Sequence, residues 1–487
     1  MYPPTDVTIT EMRPTTTTDS HSLLRSRVLT FALGLWALAG CTVSDDPTHG
    51  AKAPDIYLFS MDALRADRLT PYGHDRDTTP YLGALAKKGI VFERASATTS
   101  WTVPSVASML TGMMPHQLAV TRVRIDASGT EEKVPSTAIT IAERLKTQGY
   151  ATYAVTSNAL LSSARGYAQG FDHYVNVGFE DAAHVARALE PFERDIRSSS
   201  KPVFLWVHLF DPHDPYSAKS PWIDQWDADH ATYAPTVQHE VDNKPLHDLT
   251  MASLRKRTDL RRGQRGLPLL LSLYDSEIRY ADEILGEVHD RLDISDDDLV
   301  VFTADHGEEF RDHSALGHHL NLFEETVRVP LIVSWPSRLE PGRRIQRVSL
   351  KQITPTFAEI AGVPVGPYSG VSSRGLMPVL EGKPTAPNST VLLDVTRIGG
   401  SRMMGVYSGP MKLVLHEQEP TKTQLFDLFA DPEEAKNLAA DRPDTVARLS
   451  HVLNEELSSL PTLEPEFVED ETPDAVIEEL KAMGYVH

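Results

Sequence analysis

The chain has 487 residues, 41% of them hydrophobic, which suits a large α/β domain with a smaller partner and excludes a single small core. The formal net charge of −21 excludes the basic face that nucleic-acid binding requires, so no nucleic-acid partner is expected. It does not exclude an anionic substrate, because a bound cation inverts the field of an acidic site.

Arg25 and Arg27 precede an apolar run from Val28 to Gly40, too short to span a bilayer and read as a signal-peptide core. The run ends Leu38-Ala39-Gly40-Cys41, which resembles a bacterial lipobox. That resemblance implies a signal peptide over 1–40, lipid on the Cys41 sulfur and a polar tether over 41–53. The protein is then expected to be exported and lipid-anchored to the cell envelope. Thr42, where an Asp would retain the protein at the inner membrane, points to the outer membrane, facing the periplasm or the cell surface. The polar leader before Arg25 is long, and Met12 is an alternative start. Cys41 is the one cysteine, so with it acylated the mature chain has no disulfide and no thiol nucleophile.

From Asp55 the texture changes. Ile56–Met61 reads as a buried strand closed by Asp62, and Pro80–Gly89 as a helix followed by the apolar Ile90-Val91-Phe92. Ile139–Gly149 reads as an amphipathic helix, Tyr150–Thr156 and Val203–Phe210 as strands, Tyr274–Leu292 as a helix, and Leu299–Ala304 and Pro330–Trp335 as strands. Residues 224–265 are polar and weakly periodic, an insertion or lid. Beyond about Asn388, the short runs Val391–Val395, Met403–Tyr407 and Lys412–Leu415 predict a small antiparallel sheet, with a last helix over Asp474–Met483. Apolar strands alternating with helices predict a doubly wound, mainly parallel sheet with helices on both faces over 54–387, and a smaller α+β subdomain over 388–487. Asp62, Asp211 and Asp305 each close a strand. Ligands bind beyond the carboxyl ends of such strands, so these carboxylates are expected at one cationic site.

Several blocks name a family by their order. Asp62-Ala63-Leu64-Arg65, Thr79-Pro80, Thr102-Val103-Pro104-Ser105 through Leu110-Thr111-Gly112, Asp211-Pro212-His213-Asp214-Pro215-Tyr216, Tyr274–Tyr280, Asp305-His306-Gly307-Glu308 and Leu425-Phe426-Asp427-Leu428 resemble, in sequence, the blocks of the sulfatases within the alkaline phosphatase superfamily. The resemblance covers about residues 53–485. It implies the same doubly wound sheet with a C-terminal subdomain.

It also implies a site. Asp62, Thr102, Asp305 and His306 match the positions that hold one divalent metal ion, with Thr102 as nucleophile. Oxygen ligands suit Ca, Mg or Mn, and His306 also admits Zn. His213 and His318 match positions that meet the leaving group or the anion, and His116 matches a substrate-binding position. A second metal is not expected, since Asp211 and His213 are two apart where two-metal relatives space such ligands by four. His208, His313 and His319 are expected to support the site or lie exposed, Arg65 to form a structural ion pair and Trp101 to pack.

The chain departs from the sulfatases at the nucleophile. They carry a Cys or Ser converted to formylglycine, with Arg four residues on; here the residues are Thr102 and Val106. Threonine cannot become the aldehyde. The remaining set resembles the metal-bound threonine sites of phosphodiesterases and phosphoryl transferases in the superfamily. One metal without the Arg favours a monoanion, so a phosphodiester or similar ester of a small molecule, glycan or lipid is the expected substrate. The alternatives are sulfate-ester hydrolysis by unmodified threonine and an inactive sulfatase fold acting as a surface binding protein.

Overall fold

Six consecutive buried side chains, Ile56 to Met61, make the first strand unsuited to any position but the middle of a sheet covered on both faces. The computed structural model describes residues 53–121, 130–231, 264–318, 321–364, 374–383, 390–396 and 401–469. The expected signal peptide, Cys41, residues 41–52 of the tether, residues 232–263 of the insertion, His319 and the helix expected over Asp474–Met483 lie outside them. No helix among the described residues is long and apolar enough to cross a membrane.

The large sheet contains β1 (Ile56–Met61), β2 (Ile90–Ser96), β3 (Ala151–Thr156), β4 (His173–Asn176), β5 (Val203–Leu209), β6 (Leu299–Ala304), β7 (Arg328–Val329), β8 (Leu331–Ser334) and β9 (Gly342–Ser349). Its order is β7-β2-β8-β6-β1-β5-β3-β4, with β9 paired to β2. β1 runs parallel to β5 and β6, with Met61 beside Leu209 and Ala304. β8 runs antiparallel to both β6 and β2, which leaves β2 pointing the same way as β1 and β6. The carboxyl ends of β2, β3, β1, β5 and β6 therefore open on one edge.

Helices α1 (Pro80–Lys88), α2 (Thr102–Thr111), α3 (Ile141–Thr147), α4 (Ala182–Arg197), α5 (Gly266–Arg291) and α6 (Ile353–Ile360) accompany the sheet. All ten residues of α2 are buried, and Gly112 at φ 76° ends it, its N–H bonding the Ser108 carbonyl at 2.8 Å. α3 begins with the reciprocal box of Thr140 and Glu143. α5 starts eight residues before the Tyr274 that its periodicity marks, because Pro268 falls in its first turn, where no N–H is needed.

The three strands predicted near the C-terminus form, with a fourth, a second, antiparallel sheet, β10 (Val391–Thr396), β11 (Arg402–Ser408), β12 (Met411–His416) and β13 (Gln424–Asp427), in sequence order. α7 (Pro443–Ser458) packs on it through Leu449 and Leu453. β10 meets the large domain where its Asp394 N–H bonds the Thr98 carbonyl at 2.8 Å, four residues before Thr102.

Candidate active site

The edge shared by β1 and β6 carries the site. Asp62 follows β1, Asp305 and His306 follow β6, and Thr102 is the first residue of α2, reached from the end of β2. All four are fully buried. Thr102 Oγ1 lies 3.3 and 3.4 Å from the Asp62 carboxylate oxygens and 3.3 Å from His306 Nε2. The extended Trp101 that precedes α2 supplies no side-chain cap, so the positive end of the helix faces this cluster and favours negative charge there.

The loops that hold these groups are tied together. The Tyr274 hydroxyl on α5 donates to the Ala63 carbonyl at 2.7 Å and accepts from Arg65 N–H at 2.9 Å, which fixes the chain just after Asp62. Ala63 sits at φ 51° and its N–H bonds Asp305 Oδ1 at 3.2 Å. Gly307 N–H bonds the Thr326 carbonyl at 2.9 Å, and a Cβ on Gly307 would collide with the Glu325 carbonyl. Only glycine fits that close approach.

The electrostatics ask for a cation. Burial pushes Asp62 upward, but His213, His208 and His306 outweigh it and hold the carboxyl well below the usual range. Burial and the Asp62 charge push Asp305 up to about 6. Burial works against the His306 proton, yet Asp305 and Asp62 raise this imidazole to about 9. Asp62, Thr102, Asp305 and His306 make no hydrogen bond or ion pair to a lysine or arginine among the described residues.

The donor set fits a divalent ion. One donor atom from each of Asp62, Asp305 and His306 lies within 4.8 Å of the others. Asp305 Oδ1 accepts the Ala63 and His306 N–H groups, while the buried Oδ2 makes no hydrogen bond. His306 Nδ1 donates to the Gly307 carbonyl at 2.8 Å, which turns Nε2 toward Asp62 and Thr102.

The other expected residues divide. His318 and His213 line the same cluster: the His318 ring lies 4.4 Å from His306 and 4.9 Å from His213, centroid to centroid. His213 Nδ1 donates to the Asp214 carbonyl at 2.7 Å, and its ring stacks on Phe210. His208 supports the site, Nδ1 on Ser60 Oγ at 2.9 Å and Nε2 3.7 Å from Asp62. His116 is held by the C-terminal sheet. Its Nδ1 pairs with Asp394 Oδ2 at 3.1 Å, Arg402 grips the same carboxylate at 2.8 Å, and no contact joins it to the four clustered residues. Arg65 forms the expected ion pair, with Asp67 at 2.8 Å and Asp312 at 2.7 Å. Trp101 is buried, His313 pairs with Glu325 at 2.7 Å, and Val106 lies buried one turn along α2 from Thr102.

Asp211 corrects the sequence reading. It does not join the cationic cluster: Oδ2 accepts the Ala182 N–H at 2.8 Å, at the start of α4, and Oδ1 lies 3.6 Å from Lys219 Nζ. Two residues to which motif reading gave no role belong to the site instead. Asn158 Nδ2 donates to Asp62 Oδ2 at 2.7 Å, and Glu308 meets His318 Nδ1 at 3.1 Å.

Comparison with known proteins agrees with this fold. The sulfatase family model matches residues 54–363, and that of the N-sulphoglucosamine sulphohydrolase C-terminal region matches 317–462. The chain is 28% identical over 454 residues to a choline-sulfatase of Rhizobium meliloti, covering 79% of this chain and 82% of the relative. It is 23% identical over 513 residues to an N-acetylgalactosamine-6-O-sulfatase of Bacteroides thetaiotaomicron, covering 88% and 98%. The crystal structure of a phosphonate monoester hydrolase of Agrobacterium radiobacter superposes with a TM-score of 0.61 at 21% identity, covering 83% of this chain and 95% of that one. With a metal-ready Asp62, Asp305 and His306 at the carboxyl edge of its parallel sheet and a family match over more than half its length, this chain belongs to the sulfatase family of metal-dependent ester hydrolases.

Proposed function

We propose that this chain cleaves a monoanionic phosphoryl ester, a phosphodiester foremost, with Thr102 as nucleophile. The observation that carries the reading is Thr102 Oγ1 within 3.4 Å of both Asp62 oxygens and His306 Nε2, on a residue that cannot become formylglycine. The buried Val106 leaves that turn of α2 without the positive charge of an arginine. A divalent ion held by Asp62, Asp305 and His306 would neutralise the ester's non-bridging oxygens and acidify the threonine hydroxyl.

The chain's own groups do the rest. Thr102 Oγ, deprotonated before the ester binds, attacks phosphorus, and the bond to the alcohol breaks. The departing oxygen takes a proton from a histidine of the His213–His318 pair. Water or a second alcohol then displaces Thr102 from phosphorus. Burial of the whole set keeps bulk water from screening these charges.

The names of the sulfatase relatives favour a second reading, sulfate-ester hydrolysis by unmodified threonine. Turnover of a nitrophenyl phosphodiester and a nitrophenyl sulfate by the enzyme with added divalent metal separates the two. The expected result is diester turnover above sulfate turnover, abolished in Thr102→Ala and partly kept in Thr102→Ser. Preference for sulfate overturns the phosphoryl reading, and full activity of Thr102→Ala overturns the nucleophile.

The lipobox-like segment supports lipidation of Cys41 and a site of action at the outer envelope. Expressed in a lipoprotein-processing bacterium, the chain is expected in the membrane fraction and Cys41→Ala in the soluble one; equal fractionation of the two removes the anchor.

A further inference from the structure

The Glu308 carboxylate is fully buried beside His318, two residues past His306, and the chemistry described so far gives it no task. Its oxygens lie 3.1 and 3.3 Å from His318 Nδ1, and Oε2 accepts the Tyr216 hydroxyl at 2.9 Å. Tyr216 is itself fully buried, its ring set edge-on to Tyr274 and against Phe310, and Tyr274 is the residue that clamps the loop after Asp62. Arg65 Nη1 bonds the Glu308 carbonyl at 3.2 Å, so backbone and side chain are both fixed. A carboxylate buried at such cost and so braced is a device for orienting its imidazole partner.

We propose that Glu308 is a positioning residue that makes His318 the acid for the leaving group. The assignment rests on the Thr102 reaction above. With Nδ1–H held by the carboxylate, Nε2 is the nitrogen that exchanges protons with substrate. As the bond from phosphorus to the alcohol oxygen breaks, the proton on Nε2 passes to that oxygen, and the imidazole stays neutral with Nδ1–H still on Glu308. The water that later cleaves the phosphothreonine returns its proton to Nε2, and the cycle closes without a further reactant. The role of His213 then narrows to the anion oxygens.

An acid of this kind matters more as the departing oxygen becomes more basic. Nitrophenolate leaves with little help, whereas an alkoxide needs its proton during bond cleavage. The test measures kcat/KM of the metal-loaded enzyme on two diesters that differ only in the departing group, nitrophenyl or methyl. Glu308→Gln is expected to depress the methyl ester by about 10²-fold and to raise the nitrophenyl-to-methyl ratio at least tenfold, by about the same factor as His318→Ala, with bound metal per chain unchanged. Glu308→Asp is expected to recover part of the ratio. An equal loss on both esters, or loss of metal, assigns Glu308 to scaffolding and overturns the proposal; so does an unchanged ratio. Should sulfate be the better substrate, the same pair of leaving groups on sulfate decides Glu308. Thr102→Ala separately decides the parent reaction.

Discussion

Asn158 bears directly on how Asp62 can act. Its backbone sits at φ 105°, a conformation asparagine tolerates better than most side chains, and the Asn176 amide holds its carbonyl at 2.8 Å. Nδ2 bonds Asp62 Oδ2 at 2.7 Å, while Oδ1 of that aspartate lies 3.3 Å from Thr102 Oγ1 and 3.4 Å from His306 Nε2. Removing the amide frees Asp62 to rotate, so Asn158→Ala is expected to weaken divalent-metal affinity by about 10- to 100-fold with the fold intact. Calorimetric titration of the metal-stripped protein checks this, and unchanged affinity would leave Asn158 a turn residue only. The sequence shows an ordinary Ser-Asn after a strand at this position. Motif and strand-end reasoning found Asp62 and Asp305, because both follow central strands. The same reasoning misplaced Asp211: a strand end fixes where the Cα lies but not which N–H the carboxylate turns to, and here the start of α4 captured it. The partners of His116, Asp394 and Arg402, were equally out of reach of motif reading, since they come from strands nearly 300 positions away.

At the scale of elements, the buried runs were the readable part. Leu299–Ala304 is predicted and observed with identical bounds, and the three short runs beyond Asn388 appear as β10, β11 and β12, each longer by one or two residues. A strand buried on both faces is a near-continuous apolar run, so hydrophobicity alone reveals it. What hydrophobicity could not reveal is how the loop after β6 is held. Its shape depends on Gly307 lying against the Glu325 backbone and on Arg65 bridging Asp67 and Asp312, while the Tyr274 clamp holds the neighbouring loop after β1. Each joins segments far apart in sequence. The geometry of the candidate site therefore follows from long-range polar ties laid over a locally legible scaffold.

At the scale of the whole molecule, the loop after β6 is also fastened to the C-terminal subdomain by buried charge. Lys412 on β12 is fully buried, 2.8 Å from Glu434 and 3.3 Å from Glu324, and Arg347 covers the Tyr407 ring at 3.8 Å while pairing with Glu324. Two carboxylates face two cations, so the cluster is neutral as a set and sensitive to the loss of any member. Beside it, His313 stacks on Phe323, bonds Glu325 at 2.7 Å through Nδ1 and reaches the Glu434 carbonyl at 3.3 Å through Nε2. Burial works against the His313 proton, but the bond to Glu325 and its charge raise the imidazole to about 9. This value lies above the unfolded one of about 6.5, so the protonated pair stabilises the fold fully below that pH and its share fades as pH rises through about 9. Thermal unfolding of the metal-loaded protein between pH 6 and 10 is therefore expected to show a fall in Tm across this window that is flatter in Glu325→Gln, with the two Tm values converging at the alkaline end. The difference between the two proteins isolates the pair from other groups that titrate nearby. Parallel curves would mean that His313 carries no extra proton in the fold, and that it joins this loop to the subdomain only by stacking on Phe323 and by neutral hydrogen bonds.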